Sequence, residues 1–192
     1  AKADGLEGDP GFYGCFTKDT GDSKYEMADF ARNIRKKAVI SKNSKSFLHI
    51  ENLGQYSRKI TNIVKACLMN EGIGFIFSQY LKSGTTIMAM ALEENGFRRY
   101  IGKDVEDNLI KPDLPLEKRF CAKHLKHYEK LSASERANFV QARYILLDGS
   151  VNKPKLNELI KECRGEGSHP NLEGEHIKIV IGSKVTEQGL SL

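Results

Sequence analysis

The feature that most constrains this chain is the spacing of its short apolar runs. Ile73-Gly74-Phe75-Ile76-Phe77, Tyr144-Ile145-Leu146-Leu147 and the stretch from Ile177 to Ile181 are each bounded by Gly, Ser, Asp or charged residues. Runs this short suit strands buried on both faces of a parallel sheet better than helices. Helical periodicity fills the intervals. Ser57 is placed to cap a helix carrying Ile60, Ile63, Val64, Cys67 and Leu68 and ending near Asn70 and Gly72. A second helix runs from about Thr85 to Asn95, with Ile87, Met88, Met90, Ala91 and Leu92 as core packing and Gly96 as its stop. A third, Pro154 to Cys163, turns Leu156, Leu159, Ile160 and Cys163 inward and precedes a loop from Gly165 to Gly174. The alternation predicts an α/β fold, a parallel sheet with helices on both faces.

Two stretches depart from it. Residues 1 to about 52 mix Gly, Asp, Lys and Ser with brief apolar pieces and read as a linker or incomplete preceding segment, with one helix around Lys24 to Lys37. Residues 100–141 contain KPDLPLEKRF, KHLKHYEK and SASERANF, which read as a charged insertion within a domain spanning 53–192. With 192 residues, 40% of them hydrophobic, the chain can bury one sizeable core. It opens on Ala1 and stops at Leu192 in an apolar run, which we read as a piece of a longer protein. No stretch approaches the ~20 apolar residues of a membrane span, and the first residues lack a signal-peptide core, so an intracellular location is expected. Cys15, Cys67, Cys121 and Cys163 form no CxxC pair and are expected to be reduced thiols. The net charge of +5 is compatible with a phosphate-rich partner but does not establish one.

In a parallel sheet, the loops leaving the carboxyl ends of the strands meet at one edge, where helix N-termini offer N–H groups to anions. Three such loops here share polar chemistry: Phe77-Ser78-Gln79-Tyr80, Asp148-Gly149-Ser150-Val151, and Gly182-Ser183-Lys184 continuing through Glu187 to Gly189. Glycine lets a backbone approach a phosphate and a serine hydroxyl adds a hydrogen bond, so such a row can track a sugar-phosphate backbone without reading bases. Each piece also has a plainer reading. Gly149-Ser150 makes an ordinary turn, Ser78 and Gln79 can satisfy strand-end backbone groups, Lys184 can be a surface charge, and Glu187 can be a solvated or capping carboxylate.

The order of these segments resembles the second RecA-like domain of superfamily 2 helicases. IFSQY followed by a helix ending ENGF looks like motif IV, YILLDGSV like the next segment, and IKIVIGSKVTEQGLSL like motif V. YSRKI and NLEGEHIKIVIGS bring the likeness closest to helicase and early-transcription-factor-like NTPases of large nucleocytoplasmic DNA viruses, from about Leu53 to Leu192. IFSQ and LDGS are also similar to Snf2-type remodelling ATPases, whose motif V has a different glycine pattern. The resemblance implies a nucleic-acid-dependent ATPase in which two lobes close on ATP and Mg²⁺. Ser78, Gln79, Gly149, Ser150, Gly182 and Ser183 would contact the nucleic-acid backbone, and Glu187 and Gly189 would lie toward the interlobe cleft. It implies DNA rather than RNA as partner, together with a first RecA-like lobe and transcription machinery, in the host cytoplasm or virion. No GxxxxGK followed by Ser or Thr and no acidic DExx box occurs, and motif VI would lie beyond Leu192, so the chain alone is expected to be inactive, with no catalytic residue and no cofactor of its own. The alternatives are a non-catalytic nucleic-acid-binding module and an α/β protein that binds a small molecule.

Cys121, His124 and His127 form a Cys-x2-His-x2-His cluster resembling half of a metal site, which His169, His176 or Cys163 would have to complete. The competing reading of KHLKHYEK is an exposed basic helix with solvated histidines.

Overall fold

The computed structural model describes residues 8–18, 20–21, 23–27 and 46–184. In chain order the elements are α1 (Gly8–Cys15), β1 (Phe16–Thr17), β2 (Glu26–Met27), α2 (Ile50–Leu53), α3 (Arg58–Met69), β3 (Gly74–Phe77), α4 (Ile87–Glu94), β4 (Arg98–Arg99), β5 (Phe120–Cys121), β6 (Lys126–His127), α5 (Ala133–Ala137), β7 (Arg143–Leu147), α6 (Lys153–Cys163) and β8 (Ile179–Gly182). The centre is a four-stranded sheet in the order β3-β8-β7-β4, parallel throughout. Helices flank both faces, so the expected α/β class holds.

The register explains the layering. Ile76, Ile181 and Leu146 lie side by side, as do Phe75, Val180 and Ile145. The first row, with Tyr144 and Ile179, packs on Val64 and Cys67 of α3 and on Met88 to Leu92 of α4. On the opposite face Ile145, Leu147 and Val180 pack on Leu159 and Cys163 of α6, with Tyr100. Among the described residues, helices cover β7 and β8 on both sides, and every residue of β8 is buried.

Local chemistry sets the helix ends. The Ser57 hydroxyl accepts from Ile60 N at 3.2 Å, and the Asn152 amide oxygen accepts from Lys155 N at 3.0 Å, capping α3 and α6. Gly96 ends α4 at φ +94, and a Cβ there would meet the backbone of Lys118 and Phe120 at 2.6 Å, so both its conformation and its surroundings require glycine.

Four expectations need correction. The strand Ile73–Phe77 is not buried on both faces: Phe75 is 49% and Phe77 45% exposed. It lies at the edge of the sheet, and α6 packs over β7 and β8 instead. The helix after it begins earlier than Thr85, in a π-helical turn over Leu81–Thr86 where Thr85 N donates to Tyr80 O at 3.0 Å. Lys24 to Lys37 does not open as a helix. Tyr25 exchanges backbone hydrogen bonds with Leu109 and Lys111, and Glu26–Met27 pairs with β1, which places Phe12, Phe16 and Tyr25 in the core; residues 28–37 of that expected helix lie outside the described residues. Finally, KHLKHYEK is not a helix. Phe120–Cys121 and Lys126–His127 form a hairpin closed through Leu125 at φ 52, with Phe120 stacked on Phe97 at 5.4 Å.

The charged stretch is tied to the sheet through one buried carboxylate. Glu93 of α4 is 2% exposed and accepts from Leu109 N at 2.8 Å, Ile110 N at 3.0 Å and the Tyr144 hydroxyl. Burial raises its pKa to about 7, against the lowering effect of those hydrogen bonds and of Arg99. The fold therefore favours the uncharged form. That contribution is complete below the ordinary value of 4.5 and is lost as pH rises through 7. A shift of this size corresponds to about 3 kcal/mol. Glu93→Gln should be less stable than wild type by roughly 1–2 kcal/mol at low pH, where one backbone donor loses its acceptor, and its urea midpoint should no longer fall between pH 4.5 and 7. An unchanged pH slope in the variant would assign that slope to other groups.

Candidate nucleic-acid interface

The parallel ladder brings the three polar loops to one edge. Phe77, Gly182 and Leu147, the last residues of β3, β8 and β7, lie in register. Ser78 N donates to Gly182 O at 3.1 Å, and Ser183 N donates to Leu147 O at 3.1 Å. The loops therefore start at the same level on adjacent strands.

Within that edge the serines are engaged locally. The Ser78 hydroxyl accepts from Tyr80 N at 3.2 Å, and Gly84 of the π turn packs so closely on it that a Cβ would collide with the Ser78 oxygen. Asp148 accepts from both Ser150 N, at 3.0 Å, and the Ser150 hydroxyl, which is the turn chemistry the sequence allowed for Gly149-Ser150. Gln79, Gly149 and Ser150 are exposed, Ser78 is half-buried, and Gly182 and Ser183 are buried. Contact with a ligand at this edge therefore falls first to backbone groups and to Gln79, Gly149 and Ser150. Glu187 and Gly189 lie outside the described residues.

The charge at this edge comes from exposed Lys153 and Lys184. Lys82, close by in sequence, is turned away: its amine donates to the Tyr25 hydroxyl at 2.6 Å and lies 5.2 Å from that ring's centre. Tyr80 stands in the first loop without an expected role, yet its ring is 63% exposed. Its identity was visible in IFSQY, but its exposure depends on the π turn, which carries no clear sequence signal.

The cysteine and histidine residues of the hairpin are not gathered around a common point. Cys121 Sγ accepts from Val140 N at 3.4 Å, and His127 Nε2 lies 3.2 Å from Asn95 O. His124 Nε2 is buried and has no hydrogen-bond partner among the described residues. No group of three metal-ligating side chains converges among the described residues. All four cysteines are buried free thiols; burial pushes Cys67 up to about 11 and raises Cys15 and Cys163, which suits packing rather than reactivity.

His169, His176 and Cys163 lie instead toward the amino ends of β7 and β8. Arg143, the first residue of β7, donates to His176 Nδ1 at 3.3 Å, so the ring proton belongs on Nε2, which faces a Glu162 oxygen at 3.2 Å. Glu106 bridges Arg143 and Arg98 at 2.7 and 2.8 Å, and His169 pairs with Asp104 at 3.1 Å. Burial, then Arg143 and His169, hold the His176 pKa below its ordinary value, while Glu162 and Asp104 oppose them. The neutral ring is the folded form, so its contribution is present above about 6.5 and is lost as pH falls through the lowered value. His176→Gln should lose part of this acid sensitivity, seen as a shallower fall of the urea midpoint below pH 6.5; a steeper fall would contradict it.

No helix among the described residues is long and apolar enough to cross a membrane. Compared with protein-family models, curated proteins and solved structures, the chain finds no match.

Proposed function

We propose that this chain is the second RecA-like lobe of a superfamily 2 helicase-type NTPase, which holds a nucleic-acid backbone at the carboxyl edge of its sheet. One observation carries the reading: the segments resembling motifs IV and V and the segment between them leave three adjacent parallel strands side by side, in the order β3-β8-β7. Had they emerged at opposite ends or on non-adjacent strands, one backbone could not touch all three. The parallel sheet with helices on both faces is compatible with a RecA-like lobe.

The division of labour follows from what the sequence contains. With no phosphate loop and no acidic box, this lobe supplies the grip, and ATP and Mg²⁺ belong to the complete enzyme. Its contacts are with phosphate and sugar, through Gln79, Gly149 and Ser150 and the exposed amines of Lys153 and Lys184. DNA is the proposed polymer, and the first RecA-like lobe the proposed protein partner.

The test is oligonucleotide binding by the isolated chain, followed by fluorescence anisotropy across a salt series. Gly182 is buried in β8, so a charge there would report on folding. Gly149 is exposed and has no positive φ, so Gly149→Asp places a carboxylate on the edge without disturbing the sheet. Wild type should bind more weakly as salt rises, and Gly149→Asp should bind roughly threefold to tenfold more weakly at low salt with an unchanged circular dichroism spectrum. Undetectable wild-type binding at low salt would overturn the proposal, as would ATP turnover by this chain alone.

A further inference from the structure

We infer that the same edge carries an aromatic platform that selects single-stranded nucleic acid by stacking on its bases, with Tyr80 as the principal ring and Phe77 beside the strand end. The inference rests on the backbone-gripping reading above and adds what that reading lacks, a reason to distinguish an unpaired strand from a duplex.

Large apolar rings are normally withdrawn from water, because burying one gains about 1.5–3 kcal/mol. Single exposed aromatics are common on protein surfaces. Here, however, two exposed rings flank the first loop of the proposed interface: Tyr80 at 63% and Phe77 at 45% exposure, with Ser78 and Gln79 between them. Among the described residues, neither ring has an aromatic partner within the protein.

The backbone beneath Tyr80 is held on both sides while its ring is left out. Tyr80 N donates to the Ser78 hydroxyl at 3.2 Å, and Tyr80 O accepts from Thr85 N at 3.0 Å through the π turn. Gly84 allows that turn to close on Ser78 and the Tyr80 Cβ, at 3.1 Å from where its own Cβ would lie. A ring fixed at its base loses little freedom when a base stacks on it, which is the economy of a stacking platform. Phe77 is level with Gly182 and Leu147, so a strand crossing the three loops passes over the strand end that bears it. Stacked and paired bases in a duplex do not offer their faces to such rings, whereas unpaired bases do.

The experiment uses the intact chain with three probes of equal length: a thymidine oligonucleotide, the corresponding abasic oligonucleotide and a duplex. Backbone contacts alone bind the first two equally. Stacking predicts that thymidine binds about tenfold more tightly than the abasic strand, the effect of one stacked base. Tyr80→Ala should erase that preference and Tyr80→Phe should keep it. Because the chain has no Trp, Tyr80→Trp supplies a single indole whose fluorescence should be quenched by thymidine oligonucleotide and not by the abasic strand. Equal binding of thymidine and abasic strands by wild type overturns the platform and leaves the backbone reading standing. Binding of none of the probes overturns both. Self-association of wild type that Tyr80→Ala disperses, without a thymidine preference, assigns the ring to a protein interface and overturns the platform.

Discussion

The structure depends on β8 fitting between β3 and β7. Its four residues, Ile179–Gly182, are buried, and their backbone groups pair on both sides. Without β8, β3 and β7 would not share a sheet, because each is hydrogen-bonded to β8 and not to the other. The two apolar layers meet across the same strand, with Ile179 and Ile181 in one and Val180 in the other. The level of the three polar loops is a direct consequence, since Ser78 N and Ser183 N continue the same ladder past the strand ends.

Much of this was legible because parallel strands leave a simple trace. Three short apolar runs, each followed by a polar loop, located β3, β7 and β8 to within a few residues, and Ser57 marked the start of α3. What an apolar run cannot say is which strand is central. Ile73–Phe77 and Ile177–Ile181 are similar in composition, yet Phe75 and Phe77 are half exposed while β8 is fully buried. That difference comes from strand order and from the placement of α6, neither of which is local. Arg98–Arg99 was invisible as a strand for the converse reason: its two arginines are placed by pairing with Arg143 and Tyr144, and Arg98 is held by Glu106 and Asp113.

The charged middle of the chain was the least legible part. Periodicity is weak from residue 100 to 141 because its order comes from long-range polar anchoring. Glu93 fixes Leu109 and Ile110, and Gln141 donates to the carbonyls of Gly96 and Ala142. Isolated buried residues such as Leu109, Ile110, Phe120 and Leu131 then pack without a repeating pattern. At the candidate site the residue types were readable, but their roles were not. Ser78 and Ser150 stabilise turns, while the exposed ring of Tyr80 depends on a π turn that helix periodicity does not signal.

The two ends of the sheet have different chemistry. The amino end holds a network of buried His176 and Glu162 with half-buried Arg143 and Glu106, whose partners are already within the protein. The carboxyl end presents exposed loops, lysines and aromatic rings. The most direct measurement of the central claim is backbone amide mapping by NMR of the chain titrated with an oligonucleotide. The account predicts that the perturbed amides cluster at 78–80, 148–151 and 183–184, on three loops far apart in sequence. Perturbation confined to the amino end, around Arg143 and His176, or scattered over the surface, would contradict it.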